Sequence, residues 1–179
     1  MQYKIERKIK LMISIPKNNS LKEEIEEIIK ICEEAHQNNE ECISTFEEPI
    51  TEKEMTDWEE KNNIQIPELY KEWLRFSRNC ELKDGIVNLW GPRDFSLELI
   101  KEDLVIVGDM IGDGEMICFL KTTGEFQTVF GYSDRKSASF KEFLKKVIIV
   151  LEPKGRVKKT DSSVLLARIE EIRKNRLNK

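Results

Sequence analysis

TEKEMTDWEEKNNIQIPELYKEWLRFSRNCELKDGIVNLWG, residues 51–91, sets two helices and a strand in one unbroken run. Thr51 with Glu54 three positions later is a capping box, in which each side chain satisfies an orphan backbone N–H of the first turn. The spacing predicts a helix from there to Asn62-Asn63, with Met55 and Trp58 on one face and Glu52, Asp57, Glu59 and Glu60 left for solvent. A second helix opens at Ile66-Pro67, because proline gives up nothing where the first-turn N–H has no helical partner. Tyr70, Trp73, Leu74 and Ser77 follow at helical spacing, and Leu69 and Phe76 widen that face enough to imply substantial burial. A turn at Asp84-Gly85 leads to Ile86–Trp90, a strand by composition.

Upstream, Tyr3, Ile5, Ile9, Leu11, Ile13 and Ile15 recur on odd positions, the period of a half-buried strand. Ser20 and Glu23 offer a further capping box before Leu21, Ile25, Ile28, Ile29 and Cys32 at helical spacing. That helix fades at His36–Asn39, and a connector runs through Phe46 and Pro49. Downstream, 92–98 reads as loop and 99–103 as a short helix or turn. Leu104–Val107 is a buried strand cut off by Gly108-Asp109, a second strand runs from Glu115 to Leu120, and Lys121–Gly124 is a hairpin turn before a third at 125–130. Ser139 caps a helix whose buried face is Phe140, Phe143, Leu144, Val147 and Ile148, and Asp161 can cap a last helix carrying the stripe Leu165, Ile169 and Ile172.

These residues carry a resemblance. An acidic helix, Ile66-Pro67 with Tyr70 three beyond the proline, Trp73-Leu74, and Asn79 five beyond Leu74 resemble the opening of the SUKH superfamily, which includes the fungal Smi/Knr regulators of cell-wall synthesis and many bacterial immunity proteins. Gly108-Asp109, the glycine-rich turn after it, the Thr123-Gly124 turn, and Ser139-Phe140 followed by Phe143-Leu144 continue the pattern, which covers about Pro49 to Leu151. The resemblance implies one α+β domain, an antiparallel β-meander flanked by N-terminal and C-terminal helices. Residues 1–48 then form an N-terminal strand and acidic helix extension, 49–151 the core domain, and 152–179 a basic helical extension. Cys80 stands after Asn79 where the family usually has glycine, so Asn79 itself is expected to take the left-handed conformation.

The function it implies is protein binding without catalysis: an immunity protein that neutralises a cognate bacterial toxin, often a nuclease in this superfamily. The alternative is a Smi/Knr-like regulatory scaffold with no toxin partner.

Composition narrows the classes. Of 179 residues 39% are hydrophobic and 36% charged, enough apolar material for one filled core beneath a heavily charged surface. The net charge of -4 hides a segregation, with 15 acids and 3 bases from Ser20 to Glu60 but 14 bases and 6 acids from Asp134 to Lys179. Such polarity bears on partners and encounter rates more than on fold. Four cysteines without a CxxC pair, and Lys4, Glu6, Arg7, Lys8 and Lys10 where a secretory signal needs an apolar run, point to free thiols in the cytoplasm. No stretch is apolar for long enough to cross a bilayer, so no membrane partner is expected.

Candidate chemistry is sparse, and no cofactor is expected. His36 is the one histidine, so a nucleophile–base pair would need it to meet a residue from another element. Cys32 and His36, four apart, could share a metal with Cys42, but structural zinc wants four ligands in paired spacing; Cys32 reads better as core. The segment 108–115 holds three carboxylates and three glycines and matches neither an EF-hand nor a P-loop, which leaves a tight turn or an acidic contact loop. The basic run Lys141, Lys145, Lys146, Lys154, Arg156, Lys158 and Lys159 has no nucleic-acid motif beside it, so nucleic acid is not an expected partner and a solvated basic face is the better reading; the basic tail after Pro153 could instead hold the acidic helices of its own chain. A toxin that grips phosphate is basic at its site, and an acidic surface would steer it. The contact candidates are therefore Glu52, Asp57, Glu59, Glu60, Asp109, Asp113 and Glu115.

Overall fold

The computed structural model of the protein describes residues 14–97, 103–110, 115–129 and 136–152. The expected strand through Tyr3 to Ile13, the short helix or turn near 99–102, Asp113, and the basic extension from 153 onward lie outside the described residues.

Thr51 and Glu54 form the expected box. The Thr51 hydroxyl accepts the Glu54 N–H at 3.2 Å and Glu54 Oε2 accepts the Thr51 N–H at 3.0 Å, which starts α2 (Glu52–Asn62). The helix ends on Asn63, whose φ of 52° is the left-handed stop. Thr51→Ala should cost about 1 kcal/mol in a denaturant titration at neutral pH. The Thr51 backbone N–H and hydroxyl, with Arg78 and Arg93, hold the Glu54 carboxyl below its ordinary 4.5. A depressed folded-state pKa contributes stability above the ordinary value and loses it as pH falls through the lower one. The gap between Thr51→Ala and the parent protein should therefore narrow in acid.

α1 (Lys22–Asn38) begins differently from expectation. Ser20 and Glu23 make no capping box; the Asn19 side chain takes the Leu21 N–H at 2.8 Å, and its amide donates to the Glu72 carbonyl at 2.7 Å. Asparagine reaches its own backbone two residues on as readily as it caps, and here it also ties α1 to α3 (Glu68–Leu74). That helix stops at Leu74, before Ser77, which turns its hydroxyl to the carbonyls of Glu47 and Asn79.

Among the described residues seven strands form one sheet in sequential antiparallel order. They are β1 (Thr45–Phe46), β2 (Cys80–Leu82), β3 (Val87–Leu89), β4 (Leu104–Met110), β5 (Glu115–Leu120), β6 (Phe126–Val129) and β7 (Lys136–Ser137). β1 lies inside the segment read as a connector. Helix α4 (Phe140–Leu151), capped by Ser139 as expected, packs with α1 and α3 on one face of the sheet. Lys141 on α4 donates to the Ser20 carbonyl and stands 3.4 Å from Glu24 of α1, which ties α4 to α1; the basic tail expected to hold the acidic helices lies outside the described residues. α1 contributes Leu21, Ile25 and Ile28 to the same core as Tyr70, Trp73, Phe126, Phe140 and Phe143. Thus the chain is an α+β fold with a single principal core.

Gly108-Asp109 does not end β4. The ladder shifts register between Ile106 and Gly108, a bulge that inserts one residue and reverses the alternation after it. Val105 and Val107 face the helices; after the bulge Met110 does so, and Asp109 is spared that burial. On the opposite face Leu104, Ile106 and Cys118 form a second cluster with Trp90, Met116, Leu120 and Val129. Asn79 does not take a positive φ: Lys83 and Asp84 do, in the β2–β3 turn. Asn79 instead accepts the Gly91 N–H on Oδ1 at 2.6 Å and donates to Asp94 at 3.1 Å, which anchors the segment leaving β3. The side chain serves the neighbouring loop, and no glycine is needed after it.

Candidate functional site

Helix α2 divides its acids between three environments. Glu52 is exposed, and its two oxygens meet Arg75 Nε at 2.6 Å and Nη2 at 3.2 Å, a fork that lowers the carboxyl pKa. Asp57 is exposed and pairs with Lys53 one turn back at 2.6 Å. Glu60 is exposed to solvent.

Glu59 departs from the expected solvent face: it is buried, with 8% of its surface exposed. Its Oε1 accepts the Ile66 N–H at 2.7 Å and stands 2.9 Å from Lys71 Nζ, so it fastens the turn between α2 and α3. The signal was in the spacing, since Glu59 is four residues after the buried Met55 and shares its stripe. Glu59→Gln should keep the bond to Ile66 and lose much of the attraction to Lys71, for about 1–2 kcal/mol in urea unfolding.

The segment 108–115 does not form one acidic patch. Asp109 pairs with Met116 and Met110 with Glu115 across the β4–β5 ladder, so Asp109 and Glu115 point to opposite faces of the sheet. Glu115 is on the helix side with Met110 and is buried, while Asp109 is half-buried and accepts from Asn88 Nδ2 at 2.6 Å. Strand register separates two carboxylates that looked adjacent in sequence.

A cleft of about 560 Å³ opens beside α2, lined by Ile50, Glu54, Asp57, Trp58, Lys61, Asn62, Arg78, Pro92, Arg93, Phe95 and Leu97. The Trp58 ring stands edge-on to Phe95, centroids 5.1 Å apart at 86°, and Phe95 in turn stacks on Tyr70 at 6.0 Å. Tyr70 is fixed by its hydroxyl, which donates to the Trp90 carbonyl at 2.7 Å. An aromatic chain therefore runs from the core to the cleft wall. At its mouth Glu54 Oε1 receives Arg78 at 2.7 Å and Arg93 at 3.1 Å. Apart from Asp57, none of these residues is among the sequence-derived candidates, because the cleft joins α2 to positions about 20 and 35 residues further along the chain.

Cys32, Cys42, Cys80 and Cys118 are free; Cys32 and Cys80 are core residues, and burial pushes the Cys118 thiol up to about 12. His36 Nδ1 lies 3.1 Å from the Cys42 carbonyl, an acceptor, so this nitrogen carries the proton. Among the described residues no group of three or more His, Cys, Asp or Glu side chains is placed to hold a metal ion. No helix among them is long and apolar enough to cross a membrane.

A search of curated proteins finds no match. The model of the SMI1 / KNR4 family (SUKH-1) matches residues 49–146, from the entry to α2 to the middle of α4. That is more than half of the 179 residues, and the chain belongs to the SMI1 / KNR4 family (SUKH-1).

Proposed function

We propose that the protein is an immunity protein that neutralises a cognate bacterial toxin by binding it directly, without catalysis of its own. Family membership across residues 49–146 carries this reading, because the family includes toxin immunity proteins. The exposed carboxylates of α2, Glu52, Asp57 and Glu60, are the contact residues. They attract a basic surface such as a nuclease presents to phosphate, and attraction of this kind acts mainly on the rate of encounter. Glu52 is held ionised by Arg75, so its charge persists under mildly acidic conditions. Asp109 is a peripheral contact at most, being half-buried and bonded to Asn88. The site of action is the cytoplasm, where a toxin that attacks nucleic acid meets its substrate.

The test is co-expression with the toxin-like protein encoded beside this chain. Restored growth and co-purification of the two proteins support the reading; continued killing with both proteins soluble contradicts it. A second reading, a regulatory scaffold of the SMI1 / KNR4 kind, is favoured by the family description itself. Co-purification with a resident cytoplasmic protein and no effect on a toxin would favour it.

A further inference from the structure

We propose that the cleft between α2 and residues 91–97 is a docking site for an extended peptide segment of a partner, one that carries a carboxylate next to an apolar side chain. This goes beyond the acidic face of α2 and does not depend on whether the partner is a toxin.

The inference starts from an imbalance of charge and of hydrogen-bond donors. Arg78 Nη2 and Arg93 Nη2 both point at one oxygen, Glu54 Oε1, at 2.7 and 3.1 Å. The other oxygen, Oε2, is taken by the backbone N–H and hydroxyl of Thr51 at 3.0 and 3.1 Å. A guanidinium carries five N–H donors in a planar fork, so one shared oxygen leaves most of them unanswered. Arg78 Nε is buried without a hydrogen-bond partner, and the Arg93 side chain is 73% exposed. The third cation of the lining is Lys61, and the second carboxylate, Asp57, has its Oδ2 already bonded to Lys53. The mouth of the cleft is therefore short of one carboxylate. A carboxylate matches the guanidinium fork in shape as well as charge.

The rest of the lining sets what must stand beside that carboxylate. Trp58, Phe95, Ile50, Leu97 and Pro92 offer an apolar wall, and the volume suits one or two side chains of a peptide laid across it. Trp58 is held against Phe95 and through it to Tyr70, so this wall is formed before any partner arrives. A nucleic acid fits less well: Glu54 and Asp57 also line the cleft, and a run of phosphates would meet them while leaving the aromatic wall without an apolar group. A basic peptide meets Arg78 and Arg93 first.

The experiment uses the full chain, labelled with nitrogen-15, and four probes. Three are blocked hexapeptides that alternate leucine or phenylalanine with glutamate, with glutamine or with lysine; the fourth is an oligothymidylate. The glutamate peptide should move the Trp58 indole N–H and the Arg93 Nε–H signals, and should bind about tenfold more tightly than the glutamine peptide, the equivalent of one good ionic pairing. Arg93→Gln, at an exposed position, should abolish that preference while the melting temperature stays as it was. Arg78→Gln should weaken binding as well. The proposal is overturned if the lysine peptide or the oligothymidylate moves the same signals more strongly, if the glutamate peptide moves no cleft signal, or if Arg93→Gln leaves the preference intact. Failure of the toxin to bind the chain would leave each of these peptide results as it is, so the two readings fail separately.

Discussion

Trp73→Ala should lose about 3–5 kcal/mol of folding stability, a large share of what a domain of this size possesses. Trp73 has no exposed surface and stands edge-on to Phe76 at 5.5 Å and Phe140 at 6.0 Å, so it joins α3 to α4. Its truncation would leave a cavity bounded by two large rings that cannot close in without moving a helix. Its indole Nε1 is buried with no hydrogen-bond partner, so the polar atom contributes nothing that the ring does not. Trp73→Phe should therefore be much milder, about 1–2 kcal/mol, because it removes an unsatisfied donor along with part of the volume. Urea titrations of the three proteins compare them, with equal slopes as the check that only stability has changed. A Trp73→Ala protein with the parent midpoint would mean that α3 does not pack as described.

Gly108→Ala should come second, at about 3 kcal/mol, the upper end of the range for overpacking. A Cβ at this position would lie 2.1 Å from the Asn88 carbonyl oxygen. The obstacle is backbone in the adjacent strand rather than the tip of a movable side chain. Leu89 pairs with Gly108, and Trp90 donates to the Val107 carbonyl at 2.8 Å, so relief would have to spread β3 from β4 beside the bulge. Amide exchange at Trp90 should quicken by more than it does in β5, which is further from the clash. Unaltered exchange and stability would show that the two strands do not approach so closely.

How legible each part was follows from its length and from whether its signal is local. α2 and α4 could be read because Thr51 and Ser139 announce their first turns within three residues. β4 to β6 could be read because each has four or more residues, although the Gly108-Asp109 pair read as the end of β4 lies inside it, just past the bulge. β1 and β7 have two residues each and β2 three, too few for a period of two to show. β1 is assigned by its partners, Glu81 and Cys80 opposite Thr45 and Phe46, and not by its own composition. A Ser20 cap places the start of α1 one position early: the helix begins at Lys22 after Leu21 with no side-chain cap, and Asn19 holds the turn before it through the Leu21 N–H and the Glu72 carbonyl.

The same distinction runs through the candidate site. The acids of α2 were visible as a group, but the burial of Glu59 depends on Lys71 and Ile66 in the next helix. Glu115 and Asp109 are separated by the bulge at Val107, which composition does not reveal. The cleft brings together residues 50–62, 78 and 92–97, and its charge imbalance exists only once Glu54 has been shared between Arg78 and Arg93. Nothing in the local sequence around either arginine indicates that sharing.

The central claim is direct binding through an acidic face, and the kinetics of complex formation test it most directly. The full chain should be mixed with the toxin-like protein encoded beside it, and association and dissociation followed across a range of salt concentrations. Charges at the surface are screened over about 8–10 Å at ordinary ionic strength, so association should slow steeply with salt while dissociation changes little. Asp57→Lys together with Glu60→Lys, both at exposed positions of α2, should slow association further and leave the melting temperature close to that of the parent. The absence of a complex, or a complex whose association is indifferent both to salt and to the two charge reversals, would contradict the account.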